Sequence, residues 1–154
     1  MLSVALLFRI PILKPTVRDW LLSEWPDWYG NGGPGDLSAD IEGFARSDTE
    51  LPVGFVVFQD KVPIGFGSLK SDFIPSHRHL SPWASSGFVL PAFRRKGVGE
   101  FMLQHMVSHA QVMGFPVVYC GTSTSASLLR RAGWQCLETV IHAGKPLEVY
   151  RSGV

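Results

Sequence analysis

Apolar and polar positions change period along the chain, and each change marks an element. Val4 to Ile12 is β-branched and apolar, which predicts a buried first strand ended by Pro15. Thr16 is placed to cap a helix from Val17 to about Trp25. Pro26 and the glycines between Gly30 and Gly35 then force an irregular loop rich in aromatics. Ile41 and Phe44, three apart on one face, predict a second helix over Ser38–Arg46. Leu51–Phe58 and Val62–Leu69 bracket Asp60-Lys61 as the two strands of a tight hairpin. Asp72–Leu80 is polar and broken by Pro75, so it reads as a connection, and Trp83–Leu90 is the next strand, closed by Pro91.

From Gly97 to Met113 the period becomes helical. Met102, Leu103, Met106, Val107 and Ala110 share the apolar face, opposite a stripe of Glu100, Gln104, Ser108 and Gln111. Pro116–Cys120 reads as a short buried strand and Ala126–Ala132 as a short helix stopped by Gly133. Trp134–Ile141 and Pro146–Tyr150 form a closing hairpin around Ala143-Gly144-Lys145. The order β-α-α-β-β-β-α-β-α-β-β predicts a single α/β domain over residues 1–154 with one mixed central sheet.

Bulk numbers narrow the function classes. The chain has 154 residues, 45% of them hydrophobic and 18% charged, enough for a globular core without disulfides or metals. Fourteen basic residues against thirteen acidic ones leave a net charge of +1. That balance gives no general pull toward nucleic acid or an anionic membrane, so an anion must be held by a local device. Cys120 and Cys136 form no close-spaced ligand motif and read as reduced thiols, which points to the cytoplasm. Met1–Leu13 lacks a basic start and a small-residue cleavage site and is interrupted by Arg9, so it reads as a strand and not a signal peptide. No stretch reaches the roughly 18 apolar residues of a membrane span. His105 and His109 are four apart on the long helix but have no third ligand in view, so no metal is expected.

The chemistry concentrates in one loop. After the strand ending at Pro91 the chain reads Arg94-Arg95-Lys96-Gly97-Val98-Gly99-Glu100 and passes directly into the long helix. A helix N-terminus offers free N–H groups and a partial positive charge, and so attracts phosphate. Gly97 and Gly99 lack a Cβ, which lets phosphate oxygens approach the backbone, while Arg94, Arg95 and Lys96 add three cations. No Gly-x-x-x-x-Gly-Lys-Ser/Thr occurs, and the third glycine of a dinucleotide fingerprint is missing.

Val89-x-Pro91-x-x-Arg94-x-x-Gly97-x-Gly99 resembles motif A of the GCN5-related N-acetyltransferase (GNAT) family, Arg/Gln-x-x-Gly-x-Gly/Ala. Leu128-Leu129-Arg130-Arg131-Ala132-Gly133-Trp134 is similar to the family's terminal helix with its Gly-Phe/Trp ending, and Leu51-Pro52 through Gly65 and Ser81-Pro82-Trp83 resemble a bacterial subgroup. The likeness covers about Leu51 to the C-terminus. It implies a GNAT-like fold, acetyl-coenzyme A as cofactor and transfer of the acetyl group to a primary amine of a small molecule or peptide.

The resemblance also assigns residues. The pyrophosphate would rest on the N–H groups of Arg95 to Glu100, including Val98. The pantetheine arm would run between the Val89 strand and the Val117–Cys120 strand, which splay apart in this fold. Phe88, Arg94, Thr122 and Leu129 complete the implied cofactor set, and the Val89 N–H would stabilise the developing oxyanion. Many members carry a tyrosine acid where this chain has Leu129. Tyr119 is the nearest substitute, with Cys120 beside it. For the general base, Ser85 and Ser86 stand where some members keep a glutamate, and His79 or His77 lies just upstream. Trp25, Trp28 and Tyr29, with Ser85, would line the acceptor pocket, with Asp27 or Asp36 holding a cationic group; the aromatics equally suit covering the sheet. At pH 7 a lysine amine is neutral about 0.04% of the time and an α-amine about 10%, so a chain with no evident base suits a low-pKa amine. A monomer or homodimer is expected. Two other readings stay open: a catalytically idle acyl-CoA sensor of the same fold, and an interaction domain whose basic loop docks on a phosphorylated or acidic partner.

Overall fold

In the computed structural model, which describes residues 1–153, the chain opens with β1 (Leu2–Leu6) and the helices α1 (Lys14–Glu24), α2 (Pro26–Tyr29) and α3 (Leu37–Phe44). The strands β2 (Val53–Gln59), β3 (Val62–Lys70) and β4 (Trp83–Val89) follow, then α4 (Val98–Val112), β5 (Tyr119–Thr122) and α5 (Ala126–Arg131). A hairpin of β6 (Gln135–His142) and β7 (Lys145–Arg151) comes last. All strands join one seven-stranded sheet ordered β1-β2-β3-β4-β5-β7-β6, with β4–β5 the parallel pair and the other neighbours antiparallel. This is the single mixed α/β sheet that the hydrophobic pattern predicts.

Several boundaries differ, each for a local reason. The first strand stops at Leu6 and not Ile12, because Leu7–Arg9 and Pro11–Leu13 coil into two 3-10 turns, and Pro11 has no N–H to give a ladder. Helix α1 starts at Lys14 with Pro15 in its first turn, so Leu13 and not Thr16 holds the cap position. A proline is tolerated there because that N–H has no intrahelical partner. The loop after it contains the one-turn α2. Helix α3 is capped by Asp36, whose carboxylate accepts from the Ala39 N–H at 3.1 Å. Strand β5 starts at Tyr119 instead of Pro116, since the Val118 N–H donates to Ser152 Oγ at 2.9 Å instead of entering the ladder from β4.

The core lies on both faces of the sheet. Met102, Leu103, Met106 and Ala110 of α4 pack with Leu129 of α5 on Val53, Phe55, Leu69, Ala84 and Tyr150. Helix α4 comes so close that a Cβ at Gly67 would lie 2.9 Å from Met102 Sδ and 3.0 Å from Met106 Sδ. On the opposite face Val17, Leu21, Ile41 and Phe44 cover Val56 and Phe66. Each such fully buried large side chain stabilises the fold by about 1.5–3 kcal/mol. A smaller cluster of Ile74, Trp83 and Val149 forms where the β3–β4 connection folds over that same face. Among the described residues no helix is long and apolar enough to cross a membrane.

Candidate functional site

Strands β4 and β5 share one Cα pair, Trp83 with Tyr119, tied by the Tyr119 N–H donating to the Pro82 carbonyl at 2.9 Å. Beyond it they part, while β3 stays on the other side of β4 as far as Val89 and β7 stays beside β5 as far as Thr122. The result is a wedge, closed at Trp83–Tyr119 and open toward the basic loop. Its β4 edge is irregular. Two steps on β3, Phe66 to Ser68, face three on β4, Phe88 to Ser85, and Ser86 takes a positive φ of 56°. This bulge at Ser86–Gly87 brings Ser85 and Phe88 onto the same face of the sheet and frees peptide groups from the ladder. Beyond it the Leu90 N–H donates to the Ile64 carbonyl of β3 at 2.8 Å. Because successive N–H groups point to opposite edges, that of Val89 faces the wedge.

At the mouth of the wedge, Arg95 (φ 62°) and Gly97 (φ 82°) both adopt the left-handed conformation, and α4 starts at Val98. No backbone carbonyl among the described residues accepts from the N–H groups of Arg95 through Glu100. A Cβ at Gly97 would meet nothing within 4 Å, so the cradle above these donors is open. Arg95 and Lys96 are exposed and form no ion pair among the described residues. Free N–H groups, a helix N-terminus and two unpaired cations around an open cradle fit a pyrophosphate.

The two glycines of the motif have different duties. Gly97 meets the backbone requirement, while a Cβ at Gly99 would lie 3.0 Å from Leu128 Cδ2, so Gly99 also lets α4 pack closely on α5. Arg94 also departs from expectation. Its Nε donates to the Val89 carbonyl at 2.7 Å, its Nη2 donates to Glu24 Oε2 at 3.2 Å, and its guanidinium lies 5.7 Å over the Phe88 ring. Phe88 in turn stacks on Trp20 of α1 at 5.4 Å. Arg94 and Phe88 therefore join the loop to α1, and of the three cations only Arg95 and Lys96 are left free among the described residues. Glu24 and Trp20 are the residues that the sequence reading missed; nothing local marks them, since Glu24 lies 70 positions from Arg94.

The remaining cofactor candidates divide in the same way. Val98 is buried and its side chain belongs to the core, so its N–H alone faces the loop. Glu100 bonds Arg131 of α5 at 3.1 Å. Thr122 is buried, and its hydroxyl accepts from the Thr124 and Ser125 N–H groups at 3.2 and 2.8 Å, capping the turn into α5. Leu129 is 1% exposed inside the main core, which leaves its side chain no free surface for a cofactor.

Val89 and Tyr119 stand at opposite ends of the wedge. Between Trp83 and Val89 the bulged β4 pairs with five steps of β3, Lys70 to Gly65, so at about 3.3 Å per step Val89 lies about 17 Å from the Trp83–Tyr119 pair. Tyr119 is at the closed end, its ring 5.7 Å from Trp83; Val89 is at the mouth. Cys120 is partly buried on β5, and burial pushes its thiol up to about 12. Ser85 faces the α1–α3 side, where its Oγ lies 3.0 Å from that of buried Ser68, whose hydroxyl also reaches the Ser85 carbonyl at 3.1 Å.

His77 is buried, with Nδ1 2.7 Å from Ser76 Oγ and Nε2 3.3 Å from Glu138, while exposed His79 stacks on it at 5.8 Å. Both sit on the β3–β4 connection against β6. His105 and His109 each bond a backbone carbonyl, of Phe101 at 3.0 Å and Asp48 at 2.8 Å. Of the aromatics, Trp25 and Tyr29 pack against the α1–α3 core, and the Tyr29 hydroxyl donates to Asp40 at 2.6 Å; only Trp28 stands out, 51% exposed. Burial and that carboxylate push the Tyr29 phenol well above its usual range. A shallow cavity of about 250 Å³ beside α3, lined by Asp40, Phe44, Lys70 and Asp72, holds none of the motif residues.

Comparison with known proteins bears on the fold and the family. The fold is similar to an aminoglycoside 6'-N-acetyltransferase complexed with coenzyme A, at 13% identity over 97% of this chain and 96% of that one, with a TM-score of 0.77. The aminoglycoside 6'-N-acetyltransferase from Enterococcus faecium matches at 14% identity over 97% and 96%, with a TM-score of 0.75. A ribosomal-protein-alanine N-acetyltransferase from Brucella melitensis matches at 18% over 100% and 99%, with a TM-score of 0.68. No curated protein matches the chain. The family model for the acetyltransferase (GNAT) family matches residues 14–134, and the chain belongs to that family, as an N-acetyltransferase with acetyl-CoA as its cofactor.

Proposed function

We propose that the chain transfers acetyl from acetyl-CoA to a primary amine of a small molecule or peptide, by direct attack of the neutral amine on the thioester. The wedge carries this reading: β4 and β5 separate after one pair, directly below a loop with an open anion cradle. Acetyl-CoA, when bound, supplies the activated acyl carbon. Arg95, Lys96 and the first N–H groups of α4 hold its pyrophosphate. The Val89 N–H, close to that loop, is then placed to hold the pantetheine arm, and the peptide groups released by the Ser86–Gly87 bulge lie deeper, where oxyanion donors are needed. The amine enters from the α1–α3 side because α4 and α5 fill the other face. Trp28, 51% exposed, is an aromatic available on that side.

Proton transfer makes small demands. A thiol of pKa about 8.5 departs as thiolate at modest cost, and an α-amine is already about 10% neutral at pH 7. The similar structures are named for an aminoglycoside and for an alanine of a ribosomal protein, so both a small-molecule and a peptide amine belong in the acceptor panel. Calorimetric titration with acetyl-CoA followed by a thiol-release assay across that panel tests the reading. Absence of binding sinks it, as does survival of affinity in Gly97→Phe. Comparable rates on a lysine side chain and an α-amine at pH 7 would count against the low-pKa acceptor. Binding with no turnover on any amine selects the second reading, an idle acyl-CoA sensor, which the burial of Leu129 in the core keeps in play.

A further inference from the structure

The closed end of the wedge is walled by aromatic rings, one of which comes from a segment with no motif residue. Phe73 lies in the β3–β4 connection and rests on Gly121 of β5: a Cβ at Gly121 would meet Phe73 Cε2 at 2.8 Å and Leu147 Cδ2 at 3.0 Å. The same ring lies 5.7 Å from Trp83 and 6.1 Å from His142, with interplanar angles of 31° and 30°. Trp83 is fully buried and fixed by its Nε1 donating to the Leu80 carbonyl at 2.8 Å, and Tyr119 packs 5.7 Å from it. Phe73, Trp83 and Tyr119 thus form a continuous wall on the α1–α3 side of the point where β4 and β5 part. The other side of the sheet there is closed by α4 and α5, with Met102, Leu103 and Leu129 all buried.

We propose that Phe73 sets the length of acyl chain the enzyme accepts, confining the donor to acetyl and the shortest acyl thioesters. The inference rests on the proposed function, because it takes the arm to run from the basic loop toward Trp83–Tyr119. An acetyl group ends in one methyl. Each further methylene extends toward a ring held on one side by the Gly121 backbone and on another by a tryptophan that cannot retreat. One methylene in an apolar pocket is worth about 10–200-fold in discrimination. Phe73 is also 37% exposed, so its removal opens the wall to solvent and does not excavate the core.

The test measures kcat/KM for acetyl-, propionyl-, butyryl- and hexanoyl-CoA with one amine acceptor, by thiol release, in the full chain and in Phe73→Ala and Phe73→Leu. The wild-type ratio should fall about tenfold or more per methylene beyond acetyl. Phe73→Ala should raise the butyryl-to-acetyl ratio about tenfold or more. Phe73→Leu, which keeps an apolar side chain on Gly121 should the alanine variant fold poorly, should admit propionyl but not hexanoyl. An unchanged ratio in both variants, with wild type active on acetyl-CoA, overturns the wall alone. A wild type that binds no acyl-CoA overturns the wall and the proposed function together.

Discussion

The glycines of the basic loop have separable roles, and alanine at each separates them. Gly97 has φ 82° with nothing within 4 Å of an added Cβ, so alanine there is penalised through the backbone alone. A left-handed residue with a Cβ costs about 1–2 kcal/mol. For a chain of this size that is a fall in Tm of about 2–8 °C. The added methyl also projects into the open cradle beside the free N–H groups, so acetyl-CoA affinity should fall about tenfold, equivalent to about 1.4 kcal/mol. Gly99 is the second residue of α4, and a Cβ there would meet the Leu128 side chain, a flexible one, at 3.0 Å from Cδ2 and 3.4 Å from Cδ1. Its replacement by alanine gains up to about 1 kcal/mol of helix propensity and loses part of it to that contact. Tm should stay within about 2 °C, with affinity little changed. Differential scanning fluorimetry and calorimetric titration of both variants read the contrast. Equal losses of affinity would refute the division of labour, and an unaltered Tm in Gly97→Ala would refute the strained turn.

Glu24→Ala and Arg94→Ala should each lower kcat/KM for acetyl-CoA, and the double variant should be no worse than Arg94→Ala; additive losses would show that Glu24 does not act through Arg94. Because both side chains are partly exposed, their coupling in stability should stay below about 1 kcal/mol by double-mutant cycle. With a thiol-specific chromophoric reagent at pH 8, exposed Cys136 should react quickly and Cys120 slowly, so a single fast phase for both would contradict the burial that raises Cys120. The Cys120 thiol titrates near 9 when unfolded and is pushed up to about 12 when folded, so its contribution to stability is complete below about pH 9 and is lost as pH rises toward 12. Denaturation midpoints across that range check the sign in wild type against Cys120→Ala. Leu129→Tyr should lower Tm without raising turnover, since the position is 1% exposed and a hydroxyl left unpaired in a core costs about 1–3 kcal/mol; a stable variant with faster turnover would show that α5 presents this position to the thioester.

What was legible in the sequence is what the chain does with neighbours a few residues away. The passage from β4 through Arg94-Arg95-Lys96-Gly97 into α4 is contiguous, so a glycine able to adopt positive φ, a cluster of cations and the onset of a helical period can be read in line. The apolar face of α4 was legible for the same reason: of the five residues its period selects, Met102, Leu103, Met106 and Ala110 are buried and Val107 is half-buried. Long-range pairing was not legible. The Ser86–Gly87 bulge exists only relative to the register of β3, and the occupation of Arg94 by Glu24 only relative to the docking of α1. The orientations of Thr122 and Leu129 were not legible for a related reason: a match by position does not say that the Thr122 hydroxyl turns to the Ser125 N–H or that the Leu129 side chain lies in the core.

That division bears on the missing acid. The position where relatives place a tyrosine is closed in the core here, and the nearest phenol on the neighbouring strand, Tyr119, stands at the end of the wedge beside Trp83 and Phe73. A group in that wall can meet the departing sulfur only if the arm reaches the wall, and the same approach brings the acyl chain against Phe73. Acyl length and the source of the proton therefore become one geometric question. On the proposed path of the arm, a short acyl group would let the sulfur approach the Tyr119 hydroxyl, whereas a longer one would hold the sulfur back toward Val89, away from that hydroxyl. If Tyr119 supplies the proton, the aromatic wall does more than exclude bulk, because only the acyl chain that fits would bring the sulfur to that hydroxyl.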